Sequence, residues 1–323
     1  MTGSTSGNIS TIGGHRYLLL AATVTTYLLI TMGGIVCITE SGLGCPDWPG
    51  CYGQIVPPLR MDAIIEYTHR FIAALASPLI IAAAVVGWRK FRSSRWISWP
   101  PVLAIAFVLA VIVFGALAVL RGLARGVAAV DLSSALMVLT LMVTATVVAF
   151  YHRDNPAQAD RLSFRTSFAR LSLGTLAMLF VVLVSGILVA DKGSMARCLG
   201  WPLYSGGAER VDLLDWLQMG RRLMGGLTSI LAAGVVVQAW RTQREQAAIV
   251  SIATAMGVLL MAETLVGVLM ATREVPVSLL MLYVAMAAAA WVAMVALAVL
   301  AGLASPARAT DRLGVAQPTA STV

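Results

Sequence analysis

Eight apolar runs of about twenty residues, each closed at its ends by charges or turn-forming residues, leave this chain few ways to fold. They fall near 16–38, 64–88, 97–120, 127–151, 168–190, 213–240, 247–271 and 277–303. Runs of that length cross a bilayer as helices, because in hydrocarbon every backbone N–H and C=O must be satisfied within its own segment. Hydrophobic residues make up 59% of the chain and charged residues 12%, so nothing remains for a soluble domain. The expected fold class is all-α, a polytopic membrane protein of eight transmembrane helices. The first run follows a polar, almost uncharged tail without a small-residue cleavage site and reads as a retained helix. The last stretch, 304–323, is rich in Ala, Thr, Ser and Pro and reads as a disordered tail.

Lys and Arg concentrate at Arg16, in "RKFRSSR", around 153–170, at Arg241 and Arg244, and in the tail. Positive loops stay on the cytoplasmic side, so both termini are expected inside, in the cytoplasmic (inner) membrane. That bias accounts for the net charge of +8, and there is no case for nucleic-acid binding.

Two of the outside loops are long. The first, "ITESGLGCPDWPGCYGQIVPP" (38–58), holds Cys45 and Cys51 on the oxidising side, with Pro46, Asp47, Pro49 and Gly50 between them favouring a tight turn. A Cys45–Cys51 disulfide is the natural reading. Two free thiols are the alternative, and a metal site is disfavoured because no second ligand pair accompanies them. Cys37 ends the first span and Cys198 stands alone in the second loop; a small apolar filler is one reading open for each.

The second long loop answers the first: "CLGWPLYSG" (198–206) aligns with "CPDWPGCYG" (45–53). Gly34 pairs with Gly186, Arg70 with Arg221 and Arg121 with Arg273, all at an offset of about 152. The chain is a duplicated four-helix unit, read as two pseudo-symmetric four-helix bundles, 1–152 and 153–303. An even number of spans per copy sets the pseudo-two-fold along the membrane normal. Small residues, among them Gly33, Gly34 and Gly115, let helices approach closely.

The repeat selects four equivalent positions, 69, 131, 220 and 283, each roughly 6 to 10 Å below the outer end of its helix at 1.5 Å per residue. Paired across a bundle, two such positions suit a flat cofactor held by axial ligands from both sides. The occupants are His69, Asp131, Gly220 and Tyr283, and the other histidines, His15 and His152, lie at the opposite boundary. A bis-histidine cytochrome is therefore disfavoured.

"TESGLGCPDWPGCYGQIVPP" followed by "EYTHRFIAAL", within eight duplicated spans, resembles the haem A synthase family, membrane enzymes that convert haem O to haem A for cytochrome oxidase. The resemblance implies oxidation of a haem O methyl group to a formyl group. Haem O would sit in the first bundle as substrate and a haem b cofactor in the second, each between two histidines. It makes Glu66 the catalytic carboxylate, His69 the ligand to the haem iron, and Cys45 and Cys51 the loop pair. It also implies haem O synthase and cytochrome oxidase as partners. The other three histidine positions fall on Asp131, Gly220 and Tyr283, which leaves a degenerate second site and makes haem b doubtful there. Tyrosinate is a known haem ligand, and Met219, Met224 and Met281 offer sulfur.

Glu66, His69 and Arg70 are three and four residues apart and share a helix face. Functionally, His69 holds iron, Glu66 waits at the ring edge, and Arg70 meets a propionate, with Arg221 or Arg222 doing the same in the second bundle. The plainer alternative makes Glu66 and Arg70 an ion pair near the interface. Asp131 either pairs with Arg70 or contacts substrate through water. Glu263 is expected to hydrogen-bond a neighbouring helix, Tyr283 to anchor at the interface, and Trp48 and Trp201 to pack the loops onto the bundles. The enzyme reading competes with a non-catalytic haem-binding or oxidase-assembly relative.

Overall fold

The computed structural model describes residues 6–121, 124–154, 162–189, 213–272 and 276–304. Among them are eight helices: α1 (Ser6–Ile38), α2 (Met61–Lys90), α3 (Arg95–Leu120), α4 (Arg125–Asp154), α5 (Ser167–Val189), α6 (Leu213–Thr242), α7 (Ala247–Thr272) and α8 (Val277–Ala304). Seven predicted spans coincide with one of them to within about three residues, and α1 begins ten residues before the predicted start at 16. All eight are long and apolar enough to cross a membrane, so the chain is a multi-pass membrane protein. Pro78 and the Pro100–Pro101 pair lie inside helices, which membrane helices tolerate when neighbours satisfy the freed carbonyls.

Helix α1 packs on α2 and α4, and α3 packs on the same two, closing one ring of four. The remaining helices close a second ring, α5 on α6 and α8, α7 on α6 and α8. In each ring two helices stand diagonally opposed, α2 facing α4 and α6 facing α8. Where the rings meet, α1 and α4 lie against α8, and α4 against α5. Burial follows from that arrangement: 61% of the α4 apolar window and 72% of the α8 window are buried, against 11% for α3. An α3 that apolar and that exposed has its long side chains in lipid.

The seam between rings depends on small and hydroxyl side chains. A Cβ on Gly34 of α1 would lie 2.2 Å from Val284 Cγ1 of α8, so only glycine permits this approach. Next to it, the Tyr27 hydroxyl donates to the Ala285 carbonyl at 3.1 Å. Within the first ring, the buried Thr23 and Thr146 hydroxyls meet at 2.8 Å. Cys37, near the end of α1, is disulfide-bonded, which corrects its reading as an apolar filler. Cys198 and Trp201 lie outside the described residues.

Candidate functional site

The site begins where α1 stops. Glu40 takes a left-handed conformation (φ 53), its N–H donating to the Cys37 carbonyl at 3.2 Å and the Ser41 N–H to Val36 at 2.9 Å. This double bond pattern caps a helix and turns the chain back. Gly44 then runs against the first turn of α2, where a Cβ would come within 2.5 Å of the Asp62 backbone. Seated there, Cys45 and Cys51 are wholly buried and joined in a disulfide.

Asp47 closes the turn between them. Its carboxylate accepts the N–H groups of Tyr52 and of Gly53, the latter at 2.7 Å. Both donors belong to residues with positive φ. Chiefly the Gly53 N–H holds the Asp47 carboxyl below the usual carboxylate range, with the Tyr52 N–H and the Arg70 charge acting in the same direction. Trp48, expected to pack the loop down, is 44% exposed.

From α2, Glu66 reaches this loop rather than an open ring edge. It is 3% exposed; one oxygen accepts the Cys45 N–H at 2.8 Å and the other pairs with Arg70. Arg70 in turn donates to the carbonyls of Asp47 at 2.6 Å, of Gly50, and of Cys45 at 3.3 Å. Both terminal nitrogens of its guanidinium are thus committed, each to two acceptors. The Glu66–Arg70 ion pair expected as the plainer alternative is present, extended by three loop carbonyls. This arrangement leaves Arg70 without a terminal N–H for a propionate.

His69 points elsewhere. Its ring lies against Gly33 of α1, where a Cβ would come 3.2 Å from Cε1. Its Nδ1 is buried with no hydrogen-bond partner among the described residues. On the diagonal helix α4, Asp131 Oδ1 is likewise buried without a partner, 3.6 Å from where a Gly115 Cβ would stand. The expected Asp131–Arg70 salt bridge is absent, because Arg70 is held by the loop. Buried polar atoms are normally paired, and these two lie on diagonal helices of one ring. What this part of the first ring offers a ligand is one imidazole nitrogen of His69, whose ring also bonds the Leu29 backbone, and one carboxylate oxygen of Asp131.

Among the described residues, the second ring has no histidine at the equivalent positions. Gly220 is exposed and offers no ligand, with open space around its Cβ position. Tyr283 is 2% exposed and packs with Val266, Leu280 and Val284, which corrects its reading as an interfacial anchor. Arg221 is buried and Arg222 half-buried on the same helix. Glu263 makes no hydrogen bond among the described residues, and its Oε1 is buried, against the expected helix-to-helix bond. The cavity it lines measures about 70 Å³, well below the ~150 Å³ that admits a benzene, and a haem is several times larger.

Gly33, Gly44 and the Asp47 carboxylate escaped the reading of the sequence as parts of the site. The glycines at 33 and 44 and the Asp two residues past a buried Cys were the available signals, and only the fold-back of the loop gives them meaning.

A multi-pass all-α membrane protein, with a disulfide loop clamped over a four-helix ring that holds His69 and Asp131 on its diagonal helices, is the class that these features define. Residues 16–295 match the profile of the cytochrome oxidase assembly protein family, COX15-CtaA, and the chain belongs to that family. It is similar to a haem A synthase of Bacillus licheniformis, 27% identical over 237 residues that cover 70% of this chain and 76% of the relative. A haem A synthase of Lysinibacillus sphaericus is 29% identical over 217 residues, 65% and 70% of the two chains. One from Geobacillus thermodenitrificans is 28% identical over 231 residues, 70% and 73%.

Proposed function

We propose that this protein is an oxidoreductase of haem A biosynthesis, oxidising a methyl group of haem O to the formyl group of haem A for cytochrome oxidase. Residues 1–152 hold the substrate and residues 153–303 form a second bundle whose haem b site is degenerate. The observation that carries this reading is the pair of unpartnered buried atoms, His69 Nδ1 and Asp131 Oδ1, on diagonal helices beside a buried Glu66. Three relatives of the same family that bear the name haem A synthase support it.

In this mechanism His69 binds the substrate iron, which fixes the macrocycle between α2 and α4. Asp131 faces it from the other side, directly or through water. Glu66, one helical turn from His69, would accept a proton or stabilise positive charge as the methyl carbon gains one oxygen from water and gives up four protons and four electrons, the electrons passing to an external acceptor. The disulfide loop, held by Arg70, keeps Glu66 in one orientation and excludes water from it. Arg221 and Arg222 remain for propionate or loop contacts in the second bundle, and Tyr283 serves packing rather than iron. The termini face the cytoplasm across the inner membrane, with haem O synthase as the supplier of substrate and cytochrome oxidase as the recipient of product.

Co-production with a haem O source tests this. Haem O is consumed and haem A appears with the wild-type chain, while Glu66→Ala reduces conversion at least about a hundredfold, the low end of what a positioned acid–base group contributes. A second reading, a haem-binding assembly protein without turnover, draws on the full engagement of Glu66 by Arg70 and Cys45. It predicts a haem spectrum with no formation of haem A.

A further inference from the structure

Cys37, Cys45 and Cys51 are all disulfide-bonded. Cys45 and Cys51 are joined to each other, and a sulfur forms only one such bond, so Cys37 has its partner elsewhere. The chain has four cysteines, and the fourth is Cys198. The repeat shows why Cys198 needs a distant partner as well. In the alignment of the two outside loops it stands where Cys45 does, and the place of Cys51 is taken by Tyr204.

The fold puts Cys37 where such a bond can be made. It lies three residues beyond Gly34, whose Cβ position meets Val284 of α8, and next to Ile38, which packs with Val266 of α7 and with Leu280 and Tyr283 of α8. The outer end of α1 thus belongs to the first ring and touches the second. Four spans separate the end of α1 from the end of α5, so the connections that follow them open on the same side of the membrane. Nine residues lead from Val189 to Cys198, a reach of up to about 30 Å at ~3.3 Å per residue. Helix α8 packs on both α5 and α1, which sets those two about 20 Å apart at ~10 Å per packed pair. The connection is long enough.

We infer that Cys37 and Cys198 form a disulfide that ties the second outside loop to α1 and so joins the two rings on their outer face. The rings are otherwise connected only through the segment between Asp154 and Ser167, on the opposite side. As the S–S bond forms, the two thiols give up two protons and two electrons, and the electrons pass by thiolate exchange to a disulfide-bearing oxidant on the outer side, where such bonds persist. The assignment concerns covalent structure alone, so its test does not depend on haem chemistry.

The purified full chain is denatured with a maleimide present and no reductant, and its mass counts the free thiols. The wild type takes up none, and four after reduction. Cys198→Ser takes up one, at Cys37, and Cys37→Ser takes up one, at Cys198. The Cys45→Ser, Cys51→Ser double variant takes up none. Digestion of the unreduced wild type, which relies on no variant folding, yields a peptide pair joining Cys37 to Cys198. Two free thiols in the wild type, a pair joining Cys37 to Cys45 or Cys51, or two chains linked through Cys37 would overturn the proposal. So would a Cys198→Ser or Cys37→Ser chain without a free thiol, or a double variant that has one.

Discussion

At position 70 the loop needs a planar fork, since three carbonyls and one carboxylate converge on one side chain. An ammonium has three donors on a flexible stem and cannot meet four acceptors in a plane. Asp47 does the complementary work, turning the loop so that its carbonyl and that of Gly50 face Arg70. Its ionised form holds two backbone donors, and its folded-state value lies below that of the free side chain. The turn is therefore fully stabilised above the ordinary aspartate range near ~3.9 and loosens as pH falls through the lower, folded-state value. Reduction of the Cys45–Cys51 disulfide by a phosphine checks this. Asp47→Asn is reduced faster than wild type at neutral pH, and the ratio of the two rates falls toward one in acid. A ratio constant with pH contradicts it. The run "EYTHR" places Glu66, His69 and Arg70 on one face, but the loop partners of Glu66 and Arg70 lie 20 to 25 residues upstream. No helical spacing reveals that, so the choice between propionate and loop for Arg70 was not legible.

Among the elements, the helices were legible and the loop only partly so. Bilayer thickness dictates apolar length, and each span announced itself through it. The loop's turn residues and paired cysteines were equally plain. What the sequence hid was where the loop sits, which depends on Gly44 contacting the backbone of α2. A peptide backbone cannot yield as a side chain does. Gly44→Ala is expected to lift the loop at a cost of ~1–3 kcal/mol, the range for overpacking. It exposes the disulfide to reductant and lowers conversion of haem O through Glu66, whose Cys45 N–H partner moves away. Unchanged reduction kinetics with full activity would count against this seating. Glu263 was visible as a carboxylate within an apolar run. That no described residue bonds its Oε1 was not, because the groups around it come from other helices.

Over the whole molecule, the two rings meet on α4 and α8, and the repeat explains why each ring has the same helix order. The contact between α1 and α8 rests on Gly34 and Val284. Gly34→Ala should lower the thermal midpoint, again by ~1–3 kcal/mol of overpacking, and Val284→Ala in the same chain should restore most of the loss. Additive effects of the two changes would place the contact elsewhere. With that seam closed, the rings differ in what they hold: the first has one imidazole nitrogen and one carboxylate oxygen without partners across its diagonal, the second a small, mainly apolar cavity. Quantifying the tetrapyrrole extracted from purified protein, by absorbance and mass, tests this division most directly. The account predicts a single haem O or haem A per chain, lost in His69→Ala and retained in Tyr283→Phe. A chain carrying haem b that survives His69→Ala, or no tetrapyrrole at all, would contradict it.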